Sequence, residues 1–298
     1  MTLSRFMIET ALANPELSEL ESIFSSIETA SKTISNLVRR SSLTGLTGYL
    51  DSGNINIQGE EQKKLDVITN DVLKNALRYT GRMGVLASEE EDAPVGMDND
   101  NSAQYKGQWK KEVVVEESGR YIAVFDPLDG SSNVDAGIPT GTIFGAFAAT
   151  PGADPAAAVL RPGRELLLAG YALYSCATLL VLALPGAGVQ GFTLDAATGE
   201  FLLTHPDIAV PERGQIYSLN DAREPDWPEG LRAYIADVRA GRGESGKPYS
   251  ARYVCSLVAD FHRTLLQGGW AGNPRPHLRL VYEANPVAFL AEEAGGAQ

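Results

Sequence analysis

The apolar positions in the first half of the chain follow two kinds of spacing. From residue 16 to residue 40 they recur every three or four positions, which predicts an amphipathic helix. Its apolar face consists of Leu17, Leu20, Ile23, Phe24, Ile27, Ile34 and Leu37. A second helix is predicted over Glu61 to Arg78. Short apolar runs at Val85 to Ala87, Tyr121 to Phe125 and Thr142 to Ala149 predict buried strands.

The second half of the chain alternates strand-like and helix-like segments. Leu166 to Leu184 is apolar and predicts two buried elements, and His205 to Arg213, with two prolines and mixed charges, indicates a domain boundary. The segments predicted beyond this boundary are a strand at Ile216 to Leu219, helices at Gly230 to Arg239 and Val254 to Leu266, and a strand at Leu278 to Glu283. We therefore expect layered sheets and helices, an α/β (α+β layered) fold, in two domains comprising residues 1–208 and 209–298.

Composition narrows the class of protein. The chain of 298 residues carries a net charge of −13, which argues against a general nucleic-acid binder. No segment has the roughly 18 uninterrupted apolar residues of a membrane span, so no membrane partner is expected. Cys176 and Cys255 form no metal or redox motif and are predicted to be buried thiols in a reducing compartment.

The strongest chemical signal is the turn from Asp126 to Asn133, directly after the predicted strand at Tyr121 to Phe125. It places Asp126 and Asp129 three residues apart with a rigid proline between them. Gly130, Ser131 and Ser132 follow, and this composition is typical of a helix N-terminus. Carboxylates that hold hard cations therefore lie beside backbone N–H groups that hold a phosphate, which indicates metal-assisted phosphoryl chemistry.

Other acidic residues occupy comparable positions. Glu89, Glu90 and Glu91 end one predicted strand, Glu283 ends another, and Asp66 lies in a predicted helix. Taken singly, each is more often a solvated surface charge. Because several of these residues lie at strand ends, we expect them to converge with the Asp126 turn on one metal cluster.

At these positions the sequence resembles the class I fructose-1,6-bisphosphatase family, within the lithium-sensitive, magnesium-dependent sugar phosphatase superfamily. The segments that carry the resemblance are Gly59 to Asp66, Ala87 to Asp92, Asp126 to Asn133, Gly141 to Gly145, Ala169 to Tyr171, Ile216 to Asn220, Ala251 to Tyr253, Asp260 to Thr264, and Tyr282 with Glu283. The resemblance implies a sugar phosphatase fold of alternating helix and sheet layers (αβαβα). It also implies hydrolysis of the 1-phosphate of fructose 1,6-bisphosphate, the activity of a phosphoric monoester hydrolase.

The resemblance also implies the roles of individual residues around the metal. Ligands for two or three Mg²⁺ ions, with Mn²⁺ as an alternative, would be the carboxylates of Glu89, Asp126, Asp129 and Glu283 and the backbone carbonyl of Leu128. Glu60 matches an acidic residue on a mobile loop that completes a further metal site. Asp66 and Glu90 would orient and deprotonate the attacking water.

A second set of implied roles concerns the sugar bisphosphate. The backbone amides of Gly130, Ser131 and Ser132 would hold the phosphate that leaves. The residues expected around the sugar and its 6-phosphate are Asn220, Tyr253, Arg252 and His277. Arg252 would reach in from a neighbouring subunit, which implies a homo-oligomer, usually a tetramer in this family.

The sequence departs from the family pattern in several places. His277 replaces a lysine of the sugar-phosphate pocket, and residues 97–111 resemble an insertion beside the metal site. Family members continue for about 40 further residues, so this C-terminal domain is expected to be truncated with an exposed sheet edge. The segment from Ala153 to Pro162 has no cysteine, so no thioredoxin switch is expected.

Three functions therefore stay open. The first is fructose-1,6-bisphosphatase; the second is sedoheptulose-1,7-bisphosphatase or an enzyme acting on both sugars. The third is a non-catalytic paralogue, which the short C-terminus and His277 favour and the metal carboxylates oppose. A cytoplasmic location is expected. The plastid stroma is the alternative, because Ser88 to Asp92 and Lys247 to Ser250 resemble plastid-type members.

Overall fold

The computed structural model describes residues 1–49, 63–91, 93–96, 119–150, 153–272, 274 and 277–297. The strands are β1 (Met83–Ser88), β2 (Val95–Gly96), β3 (Tyr121–Asp129), β4 (Thr140–Ala148), β5 (Leu168–Tyr174), β6 (Thr178–Leu184), β7 (Gly188–Asp195), β8 (Glu200–His205), β9 (Ile216–Ser218), β10 (Ser250–Ala251) and β11 (Trp270–Ala271). The α-helices are α1 (Leu3–Ala13), α2 (Leu20–Thr44), α3 (Lys64–Arg78), α4 (Pro155–Val159), α5 (Glu229–Arg239), α6 (Leu257–Gln267) and α7 (Asn285–Glu293).

The first eight strands form one sheet in the order β2-β1-β3-β4-β5-β6-β7-β8. Strands β1 and β3 are parallel, and the other neighbours in this sheet are antiparallel. Strand β3 is buried along its whole length, because helices cover both faces of the sheet. Since parallel strands end at the same edge of a sheet, the chain leaves β1 and β3 at neighbouring points, and this edge carries the site.

Five layers alternate through the molecule. Helices α1, α2 and α3 cover one face of the large sheet, and α6 and α7 cover the other. Helix α6 also lies against the small parallel sheet β10-β9-β11, whose apolar side chains pack with those of α5. This αβαβα arrangement confirms the predicted layered α/β fold.

The predicted helices and strands of the large sheet are confirmed, with shifted bounds. The helix predicted for residues 16–40 begins at Leu20 and continues to Thr44, where Gly45 ends it in the left-handed conformation with φ 71°. Helix α1 precedes it and was not predicted. Its buried residues Leu3, Met7 and Thr10 lie on one helical face, so the same periodicity rule would have found it.

Two predictions are wrong. The segment predicted as a strand at Leu278 to Glu283 contains a π-helical turn, Leu280–Ala284, that leads into α7. The Ala284 N–H bonds the Arg279 carbonyl at 3.0 Å, and Leu280 is 64% exposed, so this segment lacks a strand's pairing and its alternating burial. Cys176 and Cys255 are both exposed rather than buried.

Some predictions fall outside the described residues. They concern Glu60, the start of the helix predicted at Glu61, and the insertion proposed at residues 97–111.

Candidate active site

A cavity of about 610 Å³ opens at the edge where β1 and β3 end. The site residues expected from the sequence that line it are Asp66, Glu89, Glu90, Asp126, Leu128, Asp129, Gly130, Ser131, Ser132, Tyr253, His277 and Glu283. These residues come from six segments that are separated along the chain, so they lie together only in the folded structure.

The parallel pairing of β1 with β3 explains why two acidic segments meet. Ser88 lies opposite Phe125 in the register, and the Glu89 N–H donates to the Phe125 carbonyl at 3.2 Å. Glu89 therefore follows β1 at the level where Asp126 begins the turn. An antiparallel pair would have sent the two acidic segments to opposite edges of the sheet.

A bulge at the end of β3 shapes the Asp126 turn. The register with β4 shifts between Asp126 and Asp129, and the Leu128 N–H donates to Asp126 Oδ1 at 3.0 Å. The Thr142 hydroxyl of β4 donates to the Pro127 carbonyl at 2.8 Å and fixes the middle of the turn. The bulge thereby turns both carboxylates of the turn toward the cavity.

Three carboxylates form a compact donor set. One oxygen each of Asp126, Asp129 and Glu283 lies within 4.8 Å of the others. Their side chains are buried, with exposed fractions of 2%, 7% and 3%. An all-oxygen, charged and buried set of this spacing fits a hard divalent cation such as Mg²⁺ or Mn²⁺.

Burial makes these groups hard to ionise without a cation. It raises the pKa of Glu89 to about 7, although the Arg279 guanidinium opposes this shift. It likewise raises the pKa of Asp129 to about 7, against the hydrogen bond from the Val258 N–H. Asp126 is fully enclosed, and burial together with the neighbouring Glu89 charge raises its pKa well above the usual range. A bound cation would reverse these shifts.

Arg279 is a functional candidate that the sequence interpretation missed. Its Nη2 lies 2.7 Å from Glu89 Oε1, its Nη1 lies 3.6 Å from Glu283 Oε1, and its backbone N–H donates to Glu283 Oε2 at 2.5 Å. It thus places one guanidinium among the acidic groups. The sequence offers a weak signal, an arginine four residues before Glu283, but the partnership with Glu89 depends on the fold.

The other catalytic candidates lie around this cluster. Asp66 belongs to the first turn of α3 and accepts a hydrogen bond from the Lys63 N–H at 2.7 Å, which fixes its carboxylate at the cavity wall. Glu90 follows Glu89 and also lines the cavity. Glu91, the third member of the acidic run, instead accepts a hydrogen bond from Asn70 of α3 at 2.8 Å.

The expected phosphate cradle begins with a left-handed glycine. Gly130 has φ 73° and precedes a short 3₁₀ helix, Ser131–Ala136. Lys63, missed by the sequence interpretation although it lies three residues before Asp66, anchors this helix through Asp135 at 2.9 Å. The cradle residues directly follow Asp129 and line the same cavity as the carboxylates, so an anion held there would share the cavity with any cation that they bind.

The expected sugar-phosphate residues are only partly assembled. Tyr253 and His277 line the cavity, whereas Asn220 and Arg252 do not. The Asn220 side chain accepts from the Ala222 N–H at 3.1 Å and caps a short 3₁₀ helix. Arg252 is exposed, and its Nη1 donates to the Ala251 carbonyl at 2.8 Å.

In the part of the chain that the structure describes, no helix has both the length and the apolar character needed to cross a bilayer. The layered αβαβα fold, with acidic strand ends gathered beside a glycine-serine cradle, defines a metal-dependent phosphatase of the sugar phosphatase class.

Comparison with known proteins identifies the family. The protein-family model described as "Fructose-1-6-bisphosphatase, N-terminal domain" matches residues 1–206, and the family model for the C-terminal domain matches residues 210–298. The chain belongs to the fructose-1,6-bisphosphatase family. The chloroplastic fructose-1,6-bisphosphatase of Brassica napus is 45% identical over 316 residues, covering 99% of this chain and 72% of that protein.

Two further relatives agree with this assignment. The chloroplastic enzyme of Spinacia oleracea is 43% identical over 318 residues, covering 99% of this chain and 72% of that protein. The crystal structure of the Leishmania major fructose-1,6-bisphosphatase in holo form aligns with a TM-score of 0.85 and 36% identity, covering 99% of this chain and 86% of that one.

Proposed function

We propose that the chain hydrolyses the 1-phosphate of fructose 1,6-bisphosphate to give fructose 6-phosphate and phosphate. The observation that carries this proposal is the convergence of Glu89, Asp126, Asp129 and Glu283 with the Gly130–Ser132 cradle in one cavity. Membership of the family and the names of its relatives support the choice of substrate. The cavity of about 610 Å³ is large enough for a small sugar bisphosphate.

The metal site follows from the same carboxylates. We propose Mg²⁺, two or three ions per site with Mn²⁺ as an alternative, held by Glu89, Asp126, Asp129, Glu283 and the Leu128 carbonyl. Such ions, when bound, stabilise charge on phosphate oxygens and lower the pKa of a coordinated water. Glu60 is a further proposed ligand and lies outside the described residues.

The chain's own groups then perform the positioning. Asp66 and Glu90, which both line the cavity, hold the attacking water in line with the phosphorus and accept its proton. The backbone N–H groups of Gly130, Ser131 and Ser132 hold the phosphate that is released. No covalent enzyme intermediate is needed in this scheme, because the water attacks directly.

The distal half of the substrate is assigned to Tyr253, Asn220, Arg252 and His277. Tyr253 and His277 already line the cavity. The exposure of Arg252 supports its proposed role at the site of a neighbouring subunit, and therefore a homo-oligomer, which we propose to be a tetramer. His277 would hold a phosphate less firmly than a lysine, because an imidazole offers at most two N–H donors and a lysine ammonium offers three.

The location and domain division are also proposals. The relatives from Brassica napus and Spinacia oleracea are chloroplastic, which favours the plastid stroma over the cytoplasm for this chain. A stromal enzyme of this kind would serve carbon fixation. The division into domains at residues 1–208 and 209–298 stays a prediction, and helices α6 and α7 from the second segment cover the sheet of the first.

The test is phosphate release from fructose 1,6-bisphosphate and sedoheptulose 1,7-bisphosphate, with and without Mg²⁺. The Asp126→Ala variant should lose at least about a hundredfold in turnover, because a central carboxylate of the metal site is removed. Asp195→Ala, on the exposed β7–β8 turn, is the matched control and should retain full activity. Faster hydrolysis of sedoheptulose 1,7-bisphosphate would show that the chain is a sedoheptulose-1,7-bisphosphatase instead. Metal binding without any turnover would indicate a non-catalytic paralogue.

A further inference from the structure

The segment from Arg252 to Ser256, here called the 252–256 loop, connects β10 to helix α6 and carries Tyr253 at the cavity wall. Within the loop, the Tyr253 hydroxyl donates only a weak hydrogen bond, to Cys255 Sγ at 3.3 Å. Cys255 has φ 63°, a conformation that disfavours any residue with a side chain. Ser256, the N-cap residue of α6, makes no side-chain hydrogen bond to the helix. The loop therefore depends on groups outside it.

Asp260 of α6 provides the principal contact. Both of its carboxylate oxygens accept from the Val254 N–H at 3.1 Å, and Oδ2 also accepts from the Cys255 N–H at 3.1 Å. Its exposed fraction is 6%, so these hydrogen bonds are shielded from water. A carboxylate that accepts several backbone N–H groups makes strong, charge-assisted bonds.

Arg263 completes this arrangement. Its Nη2 donates to Asp260 Oδ1 at 2.8 Å and to the Arg252 carbonyl at 2.8 Å. The guanidinium thus balances the buried charge of Asp260 and ties down the first residue of the loop. The planar donor group of arginine suits this double contact, which the single ammonium of lysine would reproduce less well.

The metal side of the cavity contacts the same region. Asp129 Oδ2 accepts from the Val258 N–H at 3.0 Å, in the first turn of α6. Asn133, in the 3₁₀ helix of the cradle, donates from Nδ2 to the Cys255 carbonyl at 2.9 Å. These two contacts fix the C-terminal end of the loop relative to the carboxylates, whereas Asp260 and Arg263 fix its first residue and its internal shape.

From these contacts we infer that Asp260, with Arg263 as its counter-ion, is a positioning residue that sets the 252–256 loop for the phosphorylated end of the sugar. The inference rests on the proposed function. Substrate affinity then depends on Asp260, because Tyr253 is placed by the loop. The chemical step depends on the carboxylates of the β1–β3 edge, where the Asp126 turn keeps its own supports.

The test compares Asp260→Asn and Arg263→Lys with the wild-type chain in steady-state kinetics and in calorimetric binding of fructose 6-phosphate. Asp260→Asn keeps the side chain's volume but removes its charge and one acceptor. We expect KM for fructose 1,6-bisphosphate and Kd for fructose 6-phosphate to rise about tenfold, with kcat within about twofold. Arg263→Lys should show the same pattern to a smaller degree, and half-saturation by Mg²⁺ should not change.

The matched control is Asp237→Asn, which breaks an exposed pair with Arg242 and should leave all of these parameters unchanged. Thermal unfolding of each variant identifies a general loss of structure, which would lower kcat and metal affinity together with sugar affinity. A fall in kcat at unchanged KM, unchanged kinetics in both variants, or absent binding of fructose 6-phosphate to the wild type would overturn the inference. Absent turnover by a wild-type chain that binds fructose 6-phosphate would count against the proposed function alone.

Discussion

Cys255 combines an exposed side chain with a left-handed backbone, and this combination makes a stability prediction. Its φ of 63° is typical of glycine, and a non-glycine residue held there costs about 1 kcal/mol or more. Cys255→Gly should therefore raise the free energy of unfolding by about 1 kcal/mol, since the strain is removed and the backbone bonds of the loop are kept.

Chemical denaturation of the two chains measures this difference. Cys176→Gly is the matched control, because Cys176 is also exposed but does not have a positive φ. The control should be neutral or destabilising, since glycine there only increases the freedom of the unfolded chain. Equal shifts for both variants would contradict the assignment of strain to Cys255.

At the scale of single residues, the sequence indicates which acidic residues can form a site, but it does not indicate how exposed each residue is. The run of Glu89, Glu90 and Glu91 predicts a site at the end of β1, but the three residues have different surroundings: Glu89 and Glu90 line the cavity, with Glu89 buried, and Glu91 pairs with α3. Nothing in three identical residues distinguishes these positions. The same limit explains the wrong burial of both cysteines, because a thiol's local sequence does not reveal what packs against it.

At the scale of elements, Asn70 joins α3 to the end of β1. Its Oδ1 accepts from the Ser88 hydroxyl at 2.7 Å, and its Nδ2 donates to Glu91 Oε1 at 2.8 Å. Asn70→Ala leaves the Ser88 hydroxyl and a partly buried carboxylate without this partner and should cost about 2 kcal/mol of stability. Because Asp66 lies one turn earlier in α3, kcat should fall as well.

A double-mutant cycle with Ser88→Ala measures the contact itself. The two substitutions should be less than additive, with a coupling of about 1 kcal/mol in the free energy of unfolding. The conservative Asn70→Asp keeps the acceptor for Ser88 but places a negative charge against Glu91, so it should be less stable than the wild type. Strict additivity of Asn70→Ala and Ser88→Ala would contradict the proposed bridge.

Sequence periodicity predicted the long elements well and the short ones badly. Helices α2 and α3 and the strands of the large sheet have enough residues for a repeat to be visible. Strands β10 and β11 have two residues each and were not predicted, because their pairing depends on β9 from elsewhere in the chain. The residues around the π-helical turn at Leu280–Ala284 alternate in a way that is typical of a strand. They are nevertheless helical, because the segment continues directly into α7.

At the scale of the whole molecule, the buried carboxyls link stability to pH and to metal. The pKa values of Glu89 and Asp129 lie near 7 in the folded state, against 4.5 and 3.8 ordinarily. Between those limits the folded chain binds more protons than the unfolded chain, so these groups lower stability as pH rises toward 7. A divalent cation replaces the protons and removes this penalty.

We therefore expect Mg²⁺ to stabilise the folded chain more at about pH 8 than at about pH 6, relative to the chain in chelator. The apparent Kd for Mg²⁺ should fall by about tenfold or more over this range. Thermal unfolding at several pH values with Mg²⁺ or EDTA measures it. Asp129→Asn should reduce the pH dependence, because one of the competing protons is lost. A stabilisation that is the same at both pH values would show that these carboxyls are already ionised without the metal.

Much of the candidate site could be predicted from the sequence because Glu89, Asp126 and Asp129 lie in short acidic segments at the ends of β1 and β3. The sequence did not reveal the cavity residues Arg279, Lys63 and Asp260. Arg279 and Lys63 pair with residues that are distant in the chain, Glu89 and Asp135. Asp260 pairs with the nearby Arg263, but the role of this pair depends on the shape of the loop it holds. Asn220 and Arg252 show the opposite case, in which a family role is expected but the side chain of a single chain does not line the cavity.

The hydrogen bond from the Val258 amide to Asp129 makes that amide a natural spectroscopic reporter. Its proton touches a carboxylate proposed to bind the cation, yet Val258 belongs to helix α6, a different element from the strand that carries Asp129, and is fully buried. A cation that draws charge from Asp129 should shift the resonance of this amide without any introduced label. Titration with Mg²⁺ in an NMR spectrometer could thus follow occupancy of the site even in the absence of substrate.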